Sequence, residues 1–202
     1  MRRFAVVGAA ALALVVATSV NAPARPTAAA CGSERWPEKT LSDPFASKVK
    51  LTPHPATVDG LTRLTKVVGI GGQRGLGTER TVFRVHARLV GIKQEADSDF
   101  HLVIRDLVTR RTMIAEFPSE SCTLGATAKL RTRMENARVA VVDLCGFAPN
   151  SHYRKLKGTA TVTGVGFFDF IHGQIGHAPN GIELHPVLKF TGTCMRTSAA
   201  RA

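Results

Sequence analysis

Polar and apolar positions alternate along the second half of the chain. In residues 81–92 (TVFRVHARLVGI), Phe83, Val85, Ala87 and Leu89 fall on one side, and Arg84, His86 and Arg88 on the other. A period of two sends successive side chains to opposite faces, so this segment predicts a half-buried β-strand. Residues 95–99 (EADSD) form a polar turn, and residues 100–106 (FHLVIRD) resume the alternation with Phe100, Leu102 and Ile104 inward. Residues 113–117 (MIAEF) predict a third strand, entered through Thr109-Arg110-Arg111 and ended by Pro118.

The period then changes. Residues 126–138 place Leu130, Met134 and Ala137 at i, i+4 and i+7 among basic residues, which predicts a short amphipathic helix. Residues 139–144 are apolar and read as a strand or a buried turn. Residues 158–168 (GTATVTGVGFF) oppose Ala160 and Val162 to Thr159, Thr161 and Thr163, a fourth strand in which Gly164 and Gly166 permit a sharp bend. Residues 182–190 predict a fifth strand, disturbed at Pro186. Three strands, a helix and two strands is the order of a small mainly β fold, the five-stranded OB-like barrel with one helix between strands 3 and 4. An α+β sandwich is the alternative.

The start of the chain reads differently. Arg2 and Arg3 precede an apolar run over residues 4–16, with small residues at 20–24, the pattern of a secretory signal peptide cleaved after Ala24. The run is shorter than the ~20 residues that span a bilayer. Residues 25–60, rich in Pro, Thr and Ser, read as an extended lead-in, 61–194 as a single OB-like β domain, and 195–202 as a tail. Export places Cys31, Cys122, Cys145 and Cys194 where disulfides form. Four cysteines without a Cys-x-x-Cys pair predict two bridges with three connectivities open, and argue against a zinc tetrathiolate.

Charge adds a partner class. The chain carries 27 Lys and Arg against 15 Asp and Glu, a net +12 that becomes +10 once Arg2 and Arg3 leave with the signal peptide. Such a surface attracts anionic polymers, whether wall polymer or nucleic acid. Arg84 and Arg88, on the polar side of their strand, are the anion-binding candidates, with Arg154 and Lys157 behind them. Single-stranded nucleic acid needs exposed aromatics. Trp36, Tyr153, Phe167 and Phe170 are the candidates, because Phe83 and Phe100 belong to the core, and one Trp with one Tyr makes a thin platform.

The densest chemistry lies in residues 164–190. Glu183 and His185 share one side of the last strand, while Asp97, Asp99 and His101 repeat the i, i+2, i+4 pattern at the second. Two carboxylate–imidazole pairs on polar faces can hold a divalent ion or act as an acid–base pair. They can equally cap turns and satisfy half-buried backbone. Asp169, His172 and Gln174 lie in the loop before the last strand, where Asp169 and His172 can orient each other. His177 is peripheral. The ligand-binding candidates are therefore Asp99, His101, Asp169, His172, Glu183 and His185, and any divalent metal would use the same acids and imidazoles.

Other chemistries are excluded. Residues 69–77 (GIGGQRGLG) precede a strand rather than a helix, so they are not a dinucleotide loop, although Arg74 and Arg80 can meet an anion. No Gly-x-Ser-x-Gly elbow is present. The expectation is a secreted or cell-surface module that binds an anionic or polymeric partner, with a divalent-metal-dependent hydrolase (nuclease- or phosphoesterase-like) and a structural envelope protein as alternatives.

Residues 31–43 (CGSERWPEKTLSD), 97–106 (DSDFHLVIRD) and 164–188 together resemble a family of uncharacterised exported bacterial proteins. Members carry a Pro-containing stretch where this chain has residues 69–77. The resemblance implies one compact secreted β-rich domain and brings no catalytic assignment. It also implies the pairing Cys31–Cys122, which leaves Cys145–Cys194.

Overall fold

The computed structural model describes Met1, residues 31–69 and residues 73–196; the expected signal peptide after Met1 and the end of the expected tail lie outside these. The architecture is mainly β, a six-stranded mixed sheet with few helices. Its strands are β1 (Lys50–Ala56), β2 (Thr81–Gln94), β3 (Phe100–Arg105), β4 (Thr112–Phe117), β5 (Arg154–Phe168) and β6 (Ile182–Arg196). They are hydrogen-bonded in the order β1-β2-β3-β4-β6-β5, and β2 also pairs with β5. The pairings from β2 through β3, β4, β6 and β5 thus return to β2. All are antiparallel except β4–β6 and β1–β2.

The alternation read from the sequence puts Val85, Ala87, Leu89, Phe100, Leu102, Ile104, Ala160 and Val162 in one core. Phe83 is only packed against its margin. Helix α3 (Ala128–Cys145) closes the core with Ala137, Val141 and Cys145. It is longer than expected and absorbs residues 139–144, which are neither strand nor turn. The buried stripe Leu130, Met134, Ala137, Val141, Cys145 is continuous, but exposed Val139 and Leu144 hide its period. Gly146, left-handed at φ 52°, ends it. Strand β6 also outruns its expected end at Phe190, because Thr191 and Thr193 keep pairing with Thr161 and Thr159. It passes through a cis His185–Pro186 bond. Gly164 lies opposite, where a Cβ would stand 2.9 Å from Leu184 Cβ and Pro186 O.

The expected lead-in is structured from Cys31 on. Helix α1 (Trp36–Lys39), a 3-10 turn at Ala46–Lys48, β1 and helix α2 (Val58–Leu61) fill it. β1 is an edge strand, which accommodates Pro53 and Pro55. Leu41 and Val49 join Val82, Leu130, Met134, Val165 and Leu188 in a second apolar cluster outside the sheet. Ion pairs clamp this segment. Arg35 donates to both oxygens of Glu79, at 2.8 and 2.7 Å, and Glu79 also accepts from the amides of Gly75 and Phe168. Arg74 is 1% exposed and donates twice to Asp43, at 3.0 and 2.7 Å. Its expected role toward an external anion is therefore corrected: the guanidinium is consumed inside the fold. Arg80 is half-buried and donates to the Arg74 carbonyl.

All four cysteines are bridged, Cys31–Cys122 and Cys145–Cys194. They close sequence separations of 91 and 49 residues, worth roughly 4–5 kcal/mol each by loop entropy if unstrained. Among the described residues, no helix is long and apolar enough to cross a membrane.

Candidate functional site: an acidic cavity under the residue 169–181 loop

His101, Glu116, Glu183 and His185 alternate with core residues on β3, β4 and β6. Their neighbours Leu102, Ala115, Phe117, Ile182 and Leu184 belong to the core, so these four face the other side of the sheet. His101 lies directly opposite Glu116, and Ile114 opposite Glu183. All four are nevertheless buried, because residues 169–181 and the α1 segment cover that face. His101 holds the cover down through Nε2, 2.9 Å from the Ile175 carbonyl oxygen. Gly176 lies against the same face; at φ 81°, a Cβ there would stand 2.3 Å from Val103 Cγ1.

Beneath this cover is a cavity of about 260 Å³. All six ligand-binding candidates line it: Asp99, His101, Asp169, His172, Glu183 and His185. Asp97 and Gln174 line it too, as do Lys39, Glu95 and Glu116, which sequence reasoning missed. Glu116 left a signal, being the one acid in the apolar strand MIAEF. Lys39 left none in the periodicity, because it stands on a four-residue helix inside the presumed lead-in.

The pairings differ from those expected. Asp169 is bound by Lys39 Nζ at 2.8 Å rather than by His172, which is exposed at the mouth. His172 and Gln174 are linked instead through the His172 amide and Gln174 Oε1, at 2.9 Å. Asp97 caps the turn by accepting from the Asp99 amide at 3.1 Å. Asp99 Oδ1 accepts from the Ser119 amide at 2.9 Å. Arg138 spans this corner from α3, donating to the Ser98 and Phe117 carbonyls with its guanidinium over the Phe100 ring. His177 bonds only within its own loop, and lines no part of the cavity.

Two proton-holding groups result. His101 Nδ1 is 2.8 Å from Glu116 Oε1. Burial opposes the His101 cation, but Glu116 outweighs it and raises the imidazole to about 9. Burial raises Glu116 to about 7, against the pull of His101. His185 lies 3.5 Å from Asp99 Oδ2 and 3.7 Å from Glu183 Oε2, ion-pair distances too long for good hydrogen bonds. Burial again disfavours the cation, and those two carboxylates overcome it and raise His185 to about 9. Burial raises Asp99 as well. Asp169 goes the other way: burial pushes it up, but Lys39 holds it below the usual carboxylate range.

Five buried polar atoms of this cavity have no hydrogen-bond partner: Asp99 Oδ2, Glu116 Oε2, Glu183 Oε2 and both His185 nitrogens. Buried polar atoms without partners cost roughly 1–3 kcal/mol each, so their concentration at one place is chemically directed. The lining sets six carboxylates against one lysine and three imidazoles. Among the described residues, no three or more His, Cys, Asp or Glu side chains are grouped so as to hold a metal ion. Arg84 and Arg88 are exposed on β2 and take no part in the cavity.

No family model matches the chain, and no curated protein matches it. Among solved structures, it is similar to a chain described as an aspartyl-tRNA synthetase from Leishmania major Friedlin, with a TM-score of 0.40 and 13% sequence identity. That likeness covers 77% of this chain, which spans 23% of the other's length; at this score it carries no argument.

Proposed function

We propose that the chain is an exported ligand-binding module of OB-like architecture whose acidic cavity takes a compact cationic ligand, an amine or amino sugar. The circuit β2-β3-β4-β6-β5-β2, its parallel β4–β6 pair and α3 between the third and fourth of these strands support the OB reading, with β1 as an added edge strand. In that fold the ligand face is the second and third strands, bordered by the loops after the first and fourth strands. Here those are β3, β4, residues 95–99 and residues 169–181, which all contribute to the cavity. Two disulfides agree with an oxidising compartment, and the leader-like start with export.

The observation that carries the proposal is the set of five partnerless polar atoms, three of them carboxylate oxygens. Carboxylates accept hydrogen bonds and repel anions. An ammonium with neighbouring hydroxyls satisfies them, and its hydroxyl oxygens accept from His185. The anionic polymer inferred from the +12 charge belongs elsewhere on the surface.

The test is thermal stabilisation by glucosamine and putrescine against glucose, acetate and phosphate. A ligand at 100 times its Kd adds about 2.7 kcal/mol. Stabilisation by the amines, lost in Asp99→Asn/Glu183→Gln, is expected; stabilisation by the anions alone refutes the reading. A divalent-metal hydrolase is the second reading; it draws on the acids and imidazoles that share the cavity, although among the described residues no three of them are grouped as a metal site. It requires manganese or zinc to stabilise the protein and a chelator to abolish phosphodiester turnover.

A further inference from the structure

The outward side of β2, β5 and β6 forms a surface of different chemistry. Arg84, His86 and Arg88 of β2 lie directly opposite Thr163, Thr161 and Thr159 of β5. The same threonines lie opposite Lys189, Thr191 and Thr193 of β6. Directly opposed residues share a face, and their neighbours Val85, Ala87, Ala160, Val162 and Phe190 are in the core, so these three rows point away from it, with Thr163 alone of them buried. Two-residue steps along a strand and two strand spacings across give an array of about 13 by 10 Å.

Its charge is of one sign. Across β2, β5 and β6 the one acid is Glu183, and that belongs to the cavity. Arg84, Arg88 and Lys189 are exposed and join no ion pair among the described residues. Lys189 and Thr191 also border a groove of about 330 Å³ between β6 and α3, which Arg133 enters from the helix. Burial alone acts on Arg133, lowering its pKa, with no carboxylate beside it to offset the cost. A partly buried guanidinium without a counter-charge, next to an acid-free Thr/Arg/Lys array, is complementary to an anion.

We infer that this face docks a flexible polyol-phosphate polymer, with Arg84, Arg88, Lys189 and Arg133 on its phosphates and the hydroxyls of Thr159, Thr161, Thr191 and Thr193 bonding the chain between them. The inference rests on the reading of the protein as an exported module with an anionic partner. Arginine, lysine and threonine are the side chains that contact phosphodiester oxygens. None of the rows carries a Phe, Tyr or Trp, so unpaired bases find only the small ring of His86 to stack on. The outer face of a sheet whose pairings close on themselves is convex. A rigid duplex meets such a face along a narrow line, while a flexible chain drapes across it.

The test is equilibrium binding of the disulfide-bonded protein to labelled poly(glycerol phosphate), with a 20-base-pair duplex and oligo-dT as comparison probes. Arg84→Glu/Arg88→Glu/Lys189→Glu is set beside Lys48→Glu/Arg110→Glu/Lys129→Glu, which makes the same charge change at exposed sites elsewhere. The face variant is expected to lose about 10- to 100-fold in affinity at low salt and about two units of the slope of log K against log salt, and the control far less. Equal losses in the two variants, or tighter face-dependent binding of the duplex or oligo-dT, overturn the inference. No binding of any polyanion by the wild type refutes the anionic-partner reading itself. Arg84→Gln/Arg88→Gln/Lys189→Gln repeats the comparison without charge reversal, so that a folding defect cannot stand in for lost binding.

Discussion

Replacing the His101–Glu116 pair by His101→Gln/Glu116→Gln should flatten the dependence of stability on pH. In the folded protein, Glu116 raises His101 from 6.5 to about 9, and burial raises Glu116 from 4.5 to about 7. Both groups keep protons on folding that they release when unfolded. Each contribution is therefore full below its unfolded value and is lost as pH rises through its folded one. The two titrate as one pair, and at 1.36 kcal/mol per pH unit the pair as a whole is worth roughly 3–5 kcal/mol. The assay is urea unfolding of both proteins, bridges intact, at pH 5 and at pH 9.5. No described cysteine is free, so alkaline thiol exchange has no internal initiator. The wild type should lose about 3–5 kcal/mol more than the variant across that interval. His185, raised to about 9, remains in both and sets the residual slope. Parallel losses in the two proteins would show that His101 is not held as a cation against Glu116, and the electrostatic account of the cavity would fall with it.

Gly176→Ala places a methyl into Val103 at positive φ and should cost about 1–3 kcal/mol, with faster proteolysis within residues 169–181 as the local readout. Arg74→Met strands Asp43 in the interior and should cost about 3–5 kcal/mol, part of which Asp43→Asn restores; additive single and double variants by urea unfolding would contradict a coupled pair. Mass spectrometry of the non-reduced protein should find no free thiol, and Cys145→Ser/Cys194→Ser should lower stability by about 2–5 kcal/mol.

Strands β2 to β6 were legible because each turns one face to a core, so their period is visible in single residues such as Phe100, Leu102 and Ile104. α3 was half legible: its buried stripe continues to Cys145, but Val139 and Leu144 on the solvent side mimic a strand. β1 was not legible, because an edge strand with Pro53 and Pro55 buries little and carries no alternation. The six candidates were chosen from residue type and spacing alone, and the fold brings all of them to the lining of one cavity. Their partners were not, because a pair such as Lys39–Asp169 joins positions 130 residues apart through tertiary packing. Arg74 shows the converse: a glycine-rich setting suggested an anion site, while the charge is spent on Asp43.

The most direct measurement is a high-resolution crystal structure of the disulfide-bonded protein soaked with glucosamine. The account predicts the amine nitrogen within hydrogen-bond reach, about 3 Å, of Asp99 Oδ2 and Glu183 Oε2, with a sugar hydroxyl accepting from His185. The contradictory result is a cavity in which His185 has closed onto Asp99 and Glu183, pairing those atoms with one another and leaving the amine bound elsewhere or not at all.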